Sequence, residues 1–304
     1  MPIRKLDELI EVVKSQGKKK RLIAAWANDS HTIGAIYNAM DNNLVDAVLV
    51  GDEGAIRKTC EENGFDVSRV TIVTAPSDVK AAEKAVAMIN AGEGEILMKG
   101  LVSTDKYMRA ILDKEKGLMP SPNAVLSHVT VIETPRYPKL IVCGDVAVIP
   151  LPDLKQKTAI LNYLVTTAKA LGIDRPKVAV LAASEQVLPK MEACVDAAIL
   201  SKMGERGQIK GGAIIDGPLA LDVAIDKESV EIKGITGEVA GDADCILFPN
   251  IESGNVFYKT NTKLAGAELG ALVFGAKVPC ILSSRGDSTK TKLYSIALGA
   301  LMAK

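Results

Sequence analysis

The chain has 304 residues, 48% of them hydrophobic, so it is long enough for about two domains or lobes and too apolar to be disordered. Its 37 basic residues balance its 37 acidic ones and aromatic residues make up 4%, which argues against a nucleic-acid binder and a polybasic membrane binder. No apolar run approaches the ~20 residues of a membrane span, and the first residues lack the apolar core of a signal peptide. We therefore expect a soluble cytoplasmic protein with no nucleic-acid or membrane partner.

Short apolar runs rich in Val, Ile and Leu recur along the whole chain. Runs that are apolar throughout are typical of strands buried on both faces, as in a parallel sheet. The predicted strands span residues 22–27, 47–50, 70–73, 96–98, 125–132, 140–148, 178–182, 213–215, 246–248, 271–274 and 278–282.

Stretches with helical spacing lie between these runs, and the clearest span residues 77–91, 153–171, 255–269 and 288–302. Strands that alternate with helices predict an α/β architecture with right-handed crossovers. The predicted strands are many for one twisted sheet, so we expect two lobes. Two prolines within residues 133–139 mark a hairpin or crossover, which is the natural seam between the lobes.

The cysteines are odd in number, stand in no CxxC pair, and three of the five lie in apolar runs. This pattern predicts buried reduced thiols and no structural zinc. The two histidines, His31 and His128, are far apart and lack a metal-binding context. We expect no metal site.

Polar turns follow three of the predicted strands, where open α/β sheets bind ligands beside helix N-termini. The turn after strand 278–282 holds Ser284, Arg285 and Asp287, and its guanidinium suits a phosphate. The alternative is that Asp287 or Ser288 only caps the last helix.

The other two turns follow the strands at residues 96–98 and 246–248. Their polar residues either contact a ligand or form ordinary turns, caps and a solvated surface arginine. The candidates are Lys99, Ser103, Thr104, Arg109, Asn250, Glu252, Asn255 and Lys259. Neither a GxGxxG fingerprint, a GxxxxGK[ST] loop nor a GxSxG elbow is present, so dinucleotide binding, Walker-type ATP binding and esterase chemistry lose support.

Several stretches resemble the phosphate acetyl/butyryltransferase family, from about residue 97 to the end of the sequence. They are residues 97–102 (LMKGLV), 189–191 (PKM) with 195–198 (VDAA), 216–222 (DGPLALD), 240–244 (AGDAD), 249–255 (PNIESGN), 275–279 (GAKVP) running into Ser284 and Arg285, and 292–297 (KLYSIA).

The resemblance implies a two-lobed αβα fold like that of isocitrate and isopropylmalate dehydrogenases, with an interlobe cleft. We expect residues 1–131 plus 275–304 to form the first lobe and residues 132–274 the second. The resemblance also implies reversible acyl transfer between coenzyme A and inorganic phosphate in a homodimer or larger homo-oligomer. Acyl-CoA and phosphate are then substrates, and no cofactor is bound permanently.

Two departures from the acetyl-type relatives favour the butyryl-type branch. The family's aspartate some seven residues after the Ser–Arg pair is Thr291 here, so a base assigned to that aspartate cannot be carried over. The Asp-Cys-Ala-Val run of the acetyl-type relatives reads DVAV at residues 145–148, without the thiol.

The hypothesis assigns Arg285 and Arg109 to the phosphate and Ser284 to a hydrogen bond with the reacting carbonyl oxygen. Asp287 is the candidate base for the thiol, and Thr291 is grouped with the substrate contacts. No histidine lies near Ser284 in sequence to activate it, so we expect direct transfer in a ternary complex. The alternatives are a non-catalytic CoA- or metabolite-binding protein, an NAD-dependent β-decarboxylating dehydrogenase on the same fold, and a structural protein.

Overall fold

The computed structural model describes residues 1–282 and 287–304. The strands are β1 (Lys20–Ala25), β2 (Val45–Gly51), β3 (Thr71–Thr74), β4 (Ile96–Lys99), β5 (Ser127–Glu133), β6 (Ile141–Gly144), β7 (Lys177–Leu181), β8 (Ile214–Leu219), β9 (Cys245–Leu247), β10 (Glu268–Phe274) and β11 (Cys280–Ile281). The helices are α1 (Leu6–Ser15), α2 (Ser30–Asp41), α3 (Glu53–Glu62), α4 (Asp78–Asn90), α5 (Thr104–Leu112), α6 (Leu154–Ala170), α7 (Glu192–Glu205), α8 (Leu221–Ile225), α9 (Lys227–Lys233), α10 (Ile251–Lys263) and α11 (Thr289–Met302), with a 3-10 turn at Val67–Arg69.

The chain divides into two compact units. The terminal unit is Asp7–Leu126 with Gly270–Lys304, and the central unit is Met1–Leu6 with Ser127–Leu269. The lobe boundaries predicted from the sequence stay a prediction. Residue 131 lies inside β5, and residue 274 ends β10.

The sheet of the terminal unit has the strand order β3-β2-β1-β4-β11-β10. All neighbouring strands in it run parallel except β10 and β11, which are antiparallel. Residues 22–25 of β1 and 96–98 of β4 are apolar and fully buried, as the uninterrupted apolar runs predicted. Helix α11 is also buried nearly all round, and its Ser295 hydroxyl accepts a hydrogen bond from the backbone N–H of Ala271 in β10 at 3.0 Å.

The sheet of the central unit has the order β5-β6-β9-β7-β8. β5 and β6 form the antiparallel hairpin that the prolines of residues 133–139 indicated, and the other neighbours are parallel. The prediction of an α/β fold is confirmed in both units.

Several predicted elements have bounds that differ from the observed ones, and side-chain hydrogen bonds account for two of them. Helix α10 begins four residues before the predicted start at 255, because the Asn250 side chain caps it by accepting the N–H of Ser253 at 3.0 Å. It ends at Lys263, and residues 268 and 269 of the predicted helix belong to β10. The strand predicted over 140–148 ends at Gly144, because the Asp145 carboxylate accepts the N–H groups of the next turn.

No helix in residues 1–282 or 287–304 is long and apolar enough to cross a membrane.

A buried ion pair joins α6 to α7. The Lys157 ammonium lies 2.7 Å from the Asp196 carboxylate, and the two side chains are 4% and 11% exposed. Both charges are removed from water, so each depends on the other for compensation.

Lys157→Met should therefore lower the free energy of unfolding by about 3–5 kcal/mol, because Asp196 is left as an uncompensated buried charge. Chemical denaturation measures the change. Lys80→Met is the matched control, because Lys80 pairs with Glu83 on the surface and such pairs contribute about 0–1 kcal/mol. The double variant Lys157→Met/Asp196→Leu should recover most of the loss. Equal effects of the Lys157 and Lys80 substitutions would contradict this account.

All five cysteines are free and buried, which confirms the prediction of buried reduced thiols. Burial raises the pKa of the Cys280 thiol to about 12, and it also raises the pKa of Cys143 and Cys245. A thiol that is both covered and protonated reacts slowly, because the thiolate is the nucleophile.

An aromatic disulfide reagent should therefore release almost no chromophore from the native protein within minutes. After unfolding in guanidinium it should titrate all five thiols. Rapid native-state reaction of even one thiol would show that a cysteine is accessible, contrary to this packing.

Candidate active site

Three parallel strands of the terminal unit end at the same edge of their sheet. β4 lies between β1 and β11, with Lys99 opposite Ala25 and Met98 opposite Ile281. The chain segments that follow β1, β4 and β11 therefore leave the sheet at one edge, where ligands of open α/β sheets bind. Two of the three polar turns predicted from the sequence, those at residues 98–105 and 283–288, follow β4 and β11.

The ends of β1 and β4 are in close backbone contact. Gly100 donates its N–H to the carbonyl of Ala25 at 2.9 Å, and a Cβ on Gly100 would lie 2.4 Å from the carbonyl oxygen of Trp26. Only glycine fits there. Trp26 itself has a φ of 58°, in the left-handed region that non-glycine residues seldom adopt. Neither constraint could be predicted from the sequence, because the close backbone contact forms only when β1 and β4 pair.

Lys99 and the start of α5 lie at this edge. The Lys99 side chain is 4% exposed, and its ammonium donates to the carbonyl of Gly100 at 3.1 Å. Ser103 caps α5 by accepting the N–H of Lys106, and Thr104 is the first residue of that helix. Arg109 is 78% exposed and lies 2.9 Å from Asp105, one helical turn earlier. The Ser103 hydroxyl can still donate its own proton to a ligand.

The turn before α11 is described only in part, because Ser284 and Arg285 lie outside the described residues. Ser288 caps the helix by accepting the N–H of Thr291 at 3.0 Å, and the two hydroxyl oxygens lie 3.1 Å apart. The carbonyl of Asp287 accepts a hydrogen bond from Lys292, which is 3% exposed. Lys292 was not among the predicted site residues, although it begins one of the stretches that resemble the family.

The third polar turn belongs to the central unit. Asn250 caps α10, and the Asn255 amide donates to the carbonyl of Val146 at 3.0 Å. The Lys259 ammonium lies 4.6 Å from the centre of the Tyr258 ring, in the geometry of a cation–π contact. Glu252 is exposed and faces a surface pocket.

A buried carboxylate that was not predicted as a functional residue organises the turn after β6. Asp145 is 2% exposed and accepts five hydrogen bonds. The donors are the Ser127 hydroxyl (2.9 Å) and the N–H groups of His128 (3.1 Å), Ala147 (2.7 Å), Val148 (2.8 Å) and Ile149 (3.3 Å). The sequence does contain a sign of this role, because Asp145 is the one charged residue in the apolar run of residues 140–148. That run was predicted to be a single strand.

Asp29, in the segment between β1 and α2, is a second residue that was not predicted from the sequence. One carboxylate oxygen caps α2 by accepting the N–H of Thr32 at 2.9 Å. The other oxygen is buried and has no hydrogen-bond partner, the only such side-chain atom in the described part of the chain. A buried acceptor without a hydrogen bond lowers the stability of the folded protein, so a ligand that donates a hydrogen bond to this oxygen would remove that penalty. The polar residues 28–30 after the first apolar run were the available signal.

Among residues 1–282 and 287–304, no group of three or more His, Cys, Asp or Glu side chains could hold a metal ion. The chemistry available at the edge of the terminal unit is instead that of an anion site, with buried ammonium groups on Lys99 and Lys292 and hydroxyls at two helix N-termini.

Comparison with solved structures identifies the fold. A branched-chain phosphotransacylase from Enterococcus faecalis aligns with a TM-score of 0.80 at 28% identity, covering 94% of this chain and 100% of that one. A 4-hydroxythreonine-4-phosphate dehydrogenase from Burkholderia phymatum aligns with a TM-score of 0.53 at 14% identity, covering 94% and 99%. The dehydrogenase-like fold expected from the sequence is confirmed.

Comparison of sequences identifies the family. The family model described as "Phosphate acetyl/butaryl transferase" matches residues 77–300. A phosphate butyryltransferase from Clostridium acetobutylicum is 46% identical over 301 residues, 99% of each chain. A phosphate acetyltransferase from Thermotoga maritima is 40% identical over 298 residues, 98% of this chain and 99% of that one. The chain belongs to the phosphate acetyl/butyryl transferase family.

Proposed function

We propose that this protein catalyses the reversible transfer of a short-chain acyl group, butyryl or a similar one, between coenzyme A and inorganic phosphate. The observation that carries the proposal is the 46% identity with a phosphate butyryltransferase over 99% of both chains. Membership of the family makes the protein an acyltransferase, and the acyl group is the finer part of the proposal.

The preference for butyryl over acetyl rests on the order of the relatives. The phosphate acetyltransferase is 40% identical, against 46% for the butyryltransferase. One methylene in an apolar pocket is worth only about 1–3 kcal/mol, so neighbouring chain lengths should also react.

In the reaction, a phosphate oxygen attacks the thioester carbonyl carbon, a tetrahedral oxyanion forms, and the carbon–sulfur bond breaks. The products are an acyl phosphate and the CoA thiolate, which then takes a proton. The site must hold two anions together, supply donors to the oxyanion and supply the proton to sulfur. In the reverse direction the same group removes the proton from the thiol, whose pKa is about 8.5 when free.

Arg285, with its planar fork of donors, is assigned to the phosphate, and Ser284 to the carbonyl oxygen. Both stand in sequence between Leu282, one residue past β11, and Asp287, just before α11. The buried ammonium of Lys99 at the end of the neighbouring strand supports an anion site at this edge. Asp287 is the proposed base for the thiol.

The remaining assignments are substrate contacts. In the terminal unit, Arg109 is proposed to bind phosphate, and the hydroxyls of Ser103, Thr104 and Thr291 to donate to it or to CoA. In the central unit, the polar groups proposed to contact CoA or phosphate are those of Asn250, Asn255 and Lys259. The Asn250 and Asn255 side chains are held in place by local hydrogen bonds, which would reduce the entropy lost on binding.

Transfer is proposed to be direct, with both substrates bound at once and no acyl-enzyme. No histidine is within 150 residues of Ser284 in the sequence, so the sequence offers no nearby histidine base that would activate Ser284 as a nucleophile.

We also propose two lobes with a substrate cleft, a homo-oligomeric assembly without a permanent cofactor, and a cytoplasmic location. Five unpaired cysteines suit that reducing compartment.

Ser284→Ala should lower kcat by about 10²–10³-fold, the usual cost of one lost oxyanion donor, with an unchanged melting temperature. CoA release from butyryl-CoA and phosphate, followed with a thiol reagent, measures it. Ser283→Ala is the matched control, because it removes the same hydroxyl from the adjacent residue, to which no role is assigned. Full activity of folded Ser284→Ala would show that this hydroxyl takes no part in the mechanism. A wild-type protein that releases no CoA from any acyl-CoA in the presence of phosphate would refute the proposed function.

Arg109→Ala should raise the KM for phosphate by about tenfold or more if its guanidinium binds the anion, since hydrogen bonds to charged groups contribute about 1.5–3 kcal/mol. Arg57→Ala is the matched control. Arg57 also pairs with a carboxylate four residues earlier, Glu53, on an exposed helix of the same unit. The same KM in both variants would make Arg109 a solvated surface residue.

A further inference from the structure

The segment between β1 and α2, residues 26–29, contains none of the substrate contacts proposed above, yet it lies where the strand order of its sheet reverses. β2 and β3 follow on one side of β1, and β4 lies on its other side. In open α/β sheets, ligands bind at the carboxyl ends of the two strands that flank such a switch point. In the terminal unit those strands are β1 and β4, so residues 26–29 border the crevice where we expect a ligand.

The helices that follow these two strands lie on opposite sides of that crevice. The crossovers β1–α2–β2 and β3–α4–β4 run in opposite directions along the sheet, so right-handed connections place α2 and α4 on opposite faces. Helix α5, which follows β4, packs beside α4 and therefore lies across the sheet from α2. Asp29 caps α2 on one side of the crevice, and Ser103 caps α5 on the other.

The Asp29 carboxylate uses only one of its two oxygens. Oδ1 accepts the N–H of Thr32 at 2.9 Å, whereas Oδ2 is buried and has no hydrogen-bond partner in residues 1–282 or 287–304. The residue as a whole is only partly buried, and the χ2 torsion of aspartate is broad, so a small rotation presents Oδ2 to a ligand in the crevice. Asp52 caps α3 after the neighbouring strand β2, but it is exposed and its oxygens remain in contact with water.

A carboxylate oxygen at an anion site distinguishes between anions. The buried Lys99 ammonium and the helix N-termini favour a negative charge, but Asp29 repels an anion that carries no proton. Inorganic phosphate keeps at least one proton at neutral pH, and a carboxylate can accept a hydrogen bond from it. Sulfate has nearly the same shape, and the same charge as hydrogen phosphate, but it has no proton to donate.

We infer that Oδ2 of Asp29 accepts a hydrogen bond from the hydroxyl of hydrogen phosphate, and that Asp29 thereby makes the site select phosphate over sulfate. The inference rests on the proposed function, because that function supplies inorganic phosphate as the substrate. It adds an acceptor to the phosphate contacts assigned to Arg285 and Arg109. Those guanidinium groups only donate, so they bind either anion, and the carboxylate supplies the discrimination.

The test is the binding of inorganic phosphate and of sulfate to the whole protein, measured by titration calorimetry without acyl-CoA. The wild-type protein should bind phosphate about tenfold more tightly than sulfate, or better, because one hydrogen bond to a charged group distinguishes them. Asp29→Asn keeps the helix cap, since asparagine caps as well as aspartate, but it replaces an acceptor by an amide donor. Its Kd for phosphate should rise by about tenfold or more, its Kd for sulfate should not rise, and the preference should disappear.

Asp52→Asn is the matched control, because Asp52 caps its helix by the same bond, from the N–H of Ala55 at 2.7 Å, away from the switch point. It should leave both dissociation constants unchanged. Circular dichroism checks that the variants are folded; should Asp29→Asn fail to fold, the preference of the wild-type protein decides alone.

Two results would overturn the inference. One is a wild-type protein that binds sulfate as tightly as phosphate or binds neither anion, and the other is a folded Asp29→Asn variant that keeps the wild-type preference. Failure of the proposed function is a different observation, because it appears as an absence of CoA release from acyl-CoA and phosphate while the preference for phosphate and its dependence on Asp29 persist.

Discussion

The parallel pairing of β4 with β1 on one side and β11 on the other is the constraint on which the candidate site depends. It makes three distant parts of the chain end at one edge of a sheet. The ends of β1 and β4 come so close that Gly100 has no room for a side chain against the Trp26 carbonyl. Buried Lys99 and the helix N-termini of α5 and α11 then give that edge the character of an anion site.

The central unit builds its polar turn by a different means. One buried carboxylate, Asp145, gathers five donors, ends β6 and shapes the residues after it. Helix α10 packs against that turn, where Gly254 leaves no room for a Cβ beside the Asp145 carbonyl and the Asn255 amide bonds to Val146. The side chains proposed to meet CoA are therefore set by a hydrogen-bond network, whereas those of the terminal unit are set by strand pairing.

Much of the fold could be predicted because local patterns determine it. Uninterrupted apolar runs marked the strands, and a resemblance to known motifs marked Ser284 and Arg285. Long-range partners could not be predicted, since nothing local to Asp145 identifies Ser127 and nothing local to Lys157 identifies Asp196. The same holds for the unpaired oxygen of Asp29, because its surroundings arise only when separate elements pack.

Direct transfer of the acyl group from the CoA sulfur to a phosphate oxygen is the central chemical claim. Incorporation of labelled CoA into butyryl-CoA, with and without phosphate, tests it most directly. The account predicts rapid incorporation when phosphate is present, through acyl phosphate, and none above the uncatalysed rate when phosphate is absent. Rapid incorporation without phosphate would contradict it, because the acyl group would then be resting on the enzyme.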